Sequence, residues 1–192
     1  MRRMVLCCCA GMALAWLVGG AAAGEQAGLI YLPWAKFCIG NACFIGRDGR
    51  LKIENIDCGR VVSAALIARA GDPRKTLRVT LPTRVKVERG VRIILDQGQA
   101  IERPYTSCFA SGCIADYDAG PELVDQLKQG HTLGLEAIDK ANSPISLIVP
   151  LAGFADAYDG PAQETKVIEL SKEESERAKR AEEERKSRCG AQ

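Results

Sequence analysis

The chain has 192 residues, with 26 lysines and arginines against 24 aspartates and glutamates, one histidine and nine cysteines. So even a balance gives no general electrostatic case for nucleic-acid binding. The length and the 47% of hydrophobic residues suffice for one domain with a real core.

The N-terminus, "MRRMVLCCCAGMALAWLVGGAAAGEQ", places two arginines before an apolar run over 4–18 and ends in Ala21, Ala22 and Ala23. That order is a secretory signal peptide over 1–23, with cleavage after Ala23. The run is short for a bilayer core, which needs ~20 apolar residues, so a permanent anchor is disfavoured. Arg2 and Arg3 fit a twin-arginine signal poorly. Cys7, Cys8 and Cys9 sit at the start of the apolar run, whereas lipid attachment would need a cysteine after it. They leave with the signal. The mature chain then carries 24 charges of each sign and six cysteines, Cys38, Cys43, Cys58, Cys108, Cys113 and Cys189. An even number in an exported chain reads first as disulfides, in the periplasm or at the cell surface.

From about 29 to 149 the pattern is short apolar or alternating runs broken by turn residues. "VVSAALIARA" (61–70) runs into Gly71, Asp72 and Pro73. "TLRVTLP" (76–82) sets Leu77, Val79 and Leu81 on one face. "RVKVERGVRIILD" (84–96) reads as two strands around Arg89 and Gly90, and "HTLGLEAID" (131–139) and "ISLIVPL" (145–151) as two more. Period-two alternation with frequent turns predicts an antiparallel all-β domain, a sandwich or a barrel. "GPELVDQLKQG" (120–130) breaks the rhythm, with Leu123, Val124 and Leu127 at helical spacing between Pro121 and Gly130. It predicts one short helix over the sheet. "LAGFADAYDG" (151–160) admits a further turn or two.

The tail, 162–192, is different material. Residues 171–188 hold seven basic and six acidic residues, with Glu173 and Arg177, Glu176 and Arg180, Glu182 and Lys186, and Glu184 and Arg188 at i, i+4. The acid-first order supports a helix, and the lack of an apolar seam excludes a coiled coil. A solvated helix projecting from the domain is the expectation.

Cys38 and Cys43, like Cys108 and Cys113, flank four residues containing glycine. Opposed positions of an antiparallel pair bring Cα atoms to ~4.5–5.5 Å, within the ~4.4–6.8 Å a disulfide accepts. The favoured reading is two structural clips, each closing so small a loop that the entropy model gives only about 2 kcal/mol. A four-cysteine zinc site and a redox pair are the alternatives; export argues against free thiols, and no C-x-x-C motif is present. Cys58 and Cys189 remain open: paired with each other, free, or cross-linking two chains. His131 lacks a clustered second ligand or nucleophile, and no catalytic or phosphate-binding motif occurs. Asp116 and Asp118 do not fit a calcium loop and are assigned to capping the following helix. Trp34 and Tyr105 are read as aromatics covering the clips. No metal or cofactor is expected.

Taken as a string, "PWAKFC" (33–38), "CFIGRDGR" (43–50), "LRVTLP" (77–82), "GVRIILDQGQ" (90–99), "YTSCFASGCIADYDAGPELVDQLKQG" (105–130) and "IVPLAGFADAYDGP" (148–161) resemble the invasion associated locus B family of exported bacterial proteins. The likeness covers roughly 30–161 and is most specific over 105–130. It implies an immunoglobulin-like β-sandwich over 24–161, export to the periplasm or cell surface, and no known catalytic residues. It also implies a link to host-cell entry in pathogenic relatives. Cys58 and Cys189 lie outside the matched pattern. Two functions follow: a non-enzymatic envelope protein that binds an unknown protein or envelope component, or a periplasmic thiol-redox or metal-binding protein using its cysteine pairs.

Overall fold

Alternation along the chain resolves into two antiparallel sheets. The computed structural model describes residues 28–53, 56–164 and 171–189. One sheet holds β1 (Leu29–Tyr31), β2 (Ala35–Ile39), β3 (Ala42–Ile53), β4 (Ile56–Arg69), β5 (Lys75–Leu81), β8 (Ser107–Phe109) and β9 (Gly112–Asp118). The other holds β6 (Val91–Leu95), β7 (Ile101–Arg103), β10 (Thr132–Ile138) and β11 (Pro144–Pro150). Strand orders are β1-β3-β4-β5-β9-β8, with β2 also on β3, and β11-β10-β6-β7.

The inward residues of both sheets form one core, which makes the domain a β-sandwich. Leu77, Val79 and Leu81 face Leu133, Leu135, Ile145, Leu147 and Val149 across it, all buried. A polar strut crosses the layers: the Tyr117 hydroxyl donates to the Val91 carbonyl at 2.8 Å. Along the edge, β1 and β2 share β3 end to end, from Leu29 opposite Leu51 to Ile39 opposite Ala42. Pro33, which has no N–H to give a ladder, marks the break between them. At that break Trp34 turns inward, 5.0 Å edge-on from Phe154.

The helix over 120–130 forms as α1 (Pro121–Gln129), with Leu123, Val124 and Leu127 buried. The turn near 154 is α2 (Phe154–Asp159). One strand is missing from the expected set. Residues 84–89 make only an isolated bridge, Val85 to Asp139, and a 3-10 turn at Val87–Arg89. Both edges of β10 are already taken by β6 and β11, so the alternating 84–89 run finds no ladder to join.

The tail is helical, α3 (Lys172–Cys189), but its far end does not project freely. Cys189 is bonded to Cys58 of β4, and Arg185 donates to the Cys58 carbonyl at 2.8 Å. The partly buried positions Ser175, Glu182, Arg185 and Cys189 fall at i, i+7, i+10 and i+14, one helical face. Of the expected i, i+4 pairs, Glu176 and Arg180 meet at 4.0 Å, while Arg185 turns to Glu182 at i, i+3. The side chains of Lys186 and Arg188 lie outside the described residues.

Candidate functional site

The chemistry open to the chain depends on the state of its cysteines. In the β2–β3 hairpin the turn is Gly40 and Asn41, with Gly40 at φ 58° in the first central position, where a type II′ turn takes glycine. Ile39 and Ala42 close the turn, and the next pair out is Cys38 opposite Cys43. That is a non-hydrogen-bonded pair, the closest approach in an antiparallel ladder. Their Cα atoms are 4.0 Å apart and the sulfurs are bonded at 2.01 Å. The β8–β9 hairpin repeats the plan: Phe109 opposite Gly112 closes the turn, and Cys108 is bonded to Cys113 with Cα atoms 4.0 Å apart. Gly112 is seated so tightly on β5 that a Cβ there would lie 2.6 Å from Thr80 Cγ2. The third bridge, Cys58 to Cys189, spans 131 residues.

The other residues singled out by sequence scatter. His131 lies just ahead of β10 with its side chain 91% exposed, and its Nδ1 is 3.8 Å from Asp96. The Asp96 carboxylate accepts from the backbone N–H groups of Thr132 and His131, and these hold it below its ordinary pKa. Asp116 does not cap α1. It forms a two-pronged pair with Arg78 across β5 and β9, both contacts at 2.8 Å, because the ladder register sets them opposite on the outer face. Asp118 ends β9, opposite Thr76, and the helix cap is Gly120, which makes no side-chain cap bond. Trp34 covers no clip: its Nε1 donates to the Pro150 carbonyl at 3.0 Å. Tyr105 packs against the core, and burial pushes its hydroxyl up to about 12. Among the described residues no group of three or more His, Cys, Asp or Glu is placed to hold a metal ion.

One polar centre escaped the sequence reading. Arg47 points inward from β3, with its guanidinium 5.4 Å from the Tyr31 ring and 5.6 Å from the Trp34 ring. It donates to the Leu32 carbonyl at 2.8 Å and shares the Pro150 carbonyl with Trp34, so it ties one sheet to the other. Burial lowers its pKa from the ordinary value and raises that of Tyr31 to about 12. The only signal in the sequence was parity: Arg47 falls between Ile45 and Gly49 on the buried phase of the strand.

The most exposed large apolar side chains among the described residues are Ile39, at 63%, and Phe109, at 58%. Each directly follows the first cysteine of its clip. The two tips stand at opposite ends of the sheet: Ala42 pairs with Arg69 at the end of β4, and Cys113 with Leu81 at the end of β5. The β4–β5 register runs from Ser63 opposite Thr80 to Ala68 opposite Lys75, which separates the tips along the strands.

A family profile described as "Invasion associated locus B (IalB) protein" matches residues 34–162. The chain belongs to the IalB family. The matched span takes in both clipped hairpins, Arg47 with Trp34 and Pro150, and α1, while Tyr31, Leu32 and Cys189 fall outside it. A crystal structure of invasion associated protein B from Bartonella henselae is similar over 68% of this chain and 94% of that one. Its identity is 24% and the TM-score is 0.56, which makes it a likeness of fold. No curated protein matches the chain. Among the described residues no helix is long and apolar enough to cross a membrane.

Proposed function

We propose that this IalB protein is an exported, non-enzymatic binding module of the bacterial envelope. In this reading 1–23 is removed as a signal peptide, 24–161 is the working domain and 162–192 is a tail. The six mature cysteines are staples. The observation that carries the reading is the pair of hairpin tips. Two disulfide-braced turns each present one bulky apolar side chain, Ile39 and Phe109, to solvent. An apolar side chain held on a rigid turn loses little freedom when it is covered, which is how an interface anchor gains affinity. Because the tips stand at opposite ends of the sheet, a flat partner engages one of them at a time. The link of the Bartonella protein to invasion is in its printed name.

Site-specific photocrosslinkers at 39, 109 and, as a control, the exposed Ile148 position test the reading in the exported protein. The expected result is a discrete adduct from at least one tip and none from the control. Tips that label no differently from 148 would remove the binding reading. A reactive thiol at Cys108 or Cys113 in protein trapped at lysis would favour the redox alternative.

A further inference from the structure

Two clefts of nearly equal size open on this domain, and their rims differ in charge. One, about 620 Å³, lies between α1 and the β6–β7 hairpin, with the carboxylates of Asp96 and Glu122 at its edge. The other, about 630 Å³, opens where the free edge of β11 meets the ends of β1, β3 and β4. Both volumes are in the ~300–1,000 Å³ range of small-molecule sites. The second cleft has an apolar floor drawn from both sheets: Leu29, Leu51 and Val61 on one side, Ile145 and Leu147 on the other. Its mouth is basic. Arg84 carries no ion pair among the described residues, and Arg60 has only a long contact, 3.8 Å, to Asp48. The one acid in the lining, Asp139, accepts from the backbone N–H groups of Ala141 and Ser143, in its own loop. The tip of the β8–β9 hairpin, Ala110 to Gly112, forms a wall braced by the Cys108–Cys113 bridge.

An apolar slot with an uncompensated guanidinium at its mouth is complementary to a molecule with an anionic head and an alkyl tail. We propose that this cleft binds a single-chain fatty-acid-like carboxylate, its head at Arg84 and its chain over the leucine, valine and isoleucine floor. The guanidinium supplies charge-assisted hydrogen bonds to the carboxylate, and the chain gains by leaving water. The cleft shares the β8–β9 hairpin with the Phe109 tip but is not lined by Phe109 or Ile39, so laurate binding and crosslinking from the tips are read separately.

The test uses the mature chain with its disulfides intact, titrated calorimetrically with laurate below its micellar concentration and with dodecanol as the uncharged match. Two exposed positions supply the variants: Arg84→Gln removes the head contact and Thr83→Trp fills the mouth. Saturable one-to-one binding of laurate is expected, weakened on the order of tenfold by Arg84→Gln. Thr83→Trp weakens it too, and dodecanol binds less tightly and ignores the Arg84 change. Absence of saturable binding, dodecanol binding as tight as laurate, or indifference to both variants overturns the proposal. Co-sedimentation with anionic vesicles without laurate binding would assign the face to a membrane surface instead. A dimer that laurate does not perturb would assign it to a second copy; either result overturns the fatty-acid site.

Discussion

Replacing both Cys58 and Cys189 by serine separates what the long bridge does from what the helix packing does. The bridge spans 131 residues, and the loop-entropy relation gives about 5 kcal/mol for a closure of that length, against about 2 for each five-residue clip. That larger figure is a ceiling. It counts only the freedom that the unfolded chain regains. The folded variant also relaxes, because α3 buries none of its described side chains fully and, apart from the bridge itself, is held to β4 by the Arg185 contact to the Cys58 carbonyl. Freed of its tether, the helix undocks and returns part of that entropy to the folded state. The expected loss is therefore about 2–3 kcal/mol, read as a lower urea midpoint with the two clips intact. Limited proteolysis should cut within 171–189 before the sandwich unfolds. A full loss of about 5 kcal/mol with the tail still protected would refute this reasoning, since it would mean that packing holds α3 in place.

Three further outcomes follow from the core and its titrating groups. Gly49→Ala would set a Cβ 2.6 Å from both Tyr31 Cε1 and Val62 Cγ1, so it should lower stability by about 1–3 kcal/mol in chemical denaturation, as overpacking does. Tyr117→Phe removes the strut to the Val91 carbonyl in a site where the ring is 1% exposed, and should lower stability by about 1–2 kcal/mol with the fold retained. Tyr31 and Tyr105 both titrate at about 12 when folded and at 10.0 when free. Between those values the unfolded chain has released protons that the folded one keeps, so stability falls as pH rises from about 10 to about 12. Tyr31→Phe and Tyr105→Phe should each flatten that alkaline limb, and a limb unchanged in both variants would show that other groups carry it.

Much of the sandwich was legible because its strands bury one face, and burial of one face writes period-two alternation into the sequence. Leu77, Val79 and Leu81 show it plainly, as do Leu133 and Leu135. The helix over 120–130 was legible for the same kind of reason, with punctuation by Pro121 and Gly130. Failure came where a residue's role depends on a partner distant in sequence. Asp116 looks like a helix cap until β5 and β9 are aligned, and Arg78 then faces it across 38 residues. Arg47 disguises the inward phase of β3, since a charge on the buried side is compensated only by Leu32, Pro150 and two rings elsewhere in the chain. The 84–89 run alternates well enough for a strand, yet strand formation also needs a free edge. The course of α3 was hidden for a different reason: its attachment rests on one cysteine pair and one arginine, with no apolar stripe to announce it.

The two short clips pose a question of economy. The core beneath them is continuous, and each bridge adds only about 2 kcal/mol by restricting the unfolded chain. A two-residue turn already sets the register of a hairpin, so register alone hardly requires them. What a cross-strand bridge adds is stiffness at the last rung before the turn, at the base of Ile39 and of Phe109. Turn tips are otherwise the softest part of a sheet. Stiffness there has a use if the tip must meet something else in a fixed geometry, because ordering a loop on binding subtracts from affinity. The same brace on the β8–β9 hairpin also fixes one wall of the basic cleft. Opening the Cys108–Cys113 clip by Cys108→Ser and Cys113→Ser should therefore weaken laurate binding while leaving the core folded. Loss of affinity in a variant that stays folded, its stability lowered by no more than the clip's own ~2 kcal/mol, would assign the clip to the site; a lowered urea midpoint with affinity unchanged would assign it to stability alone.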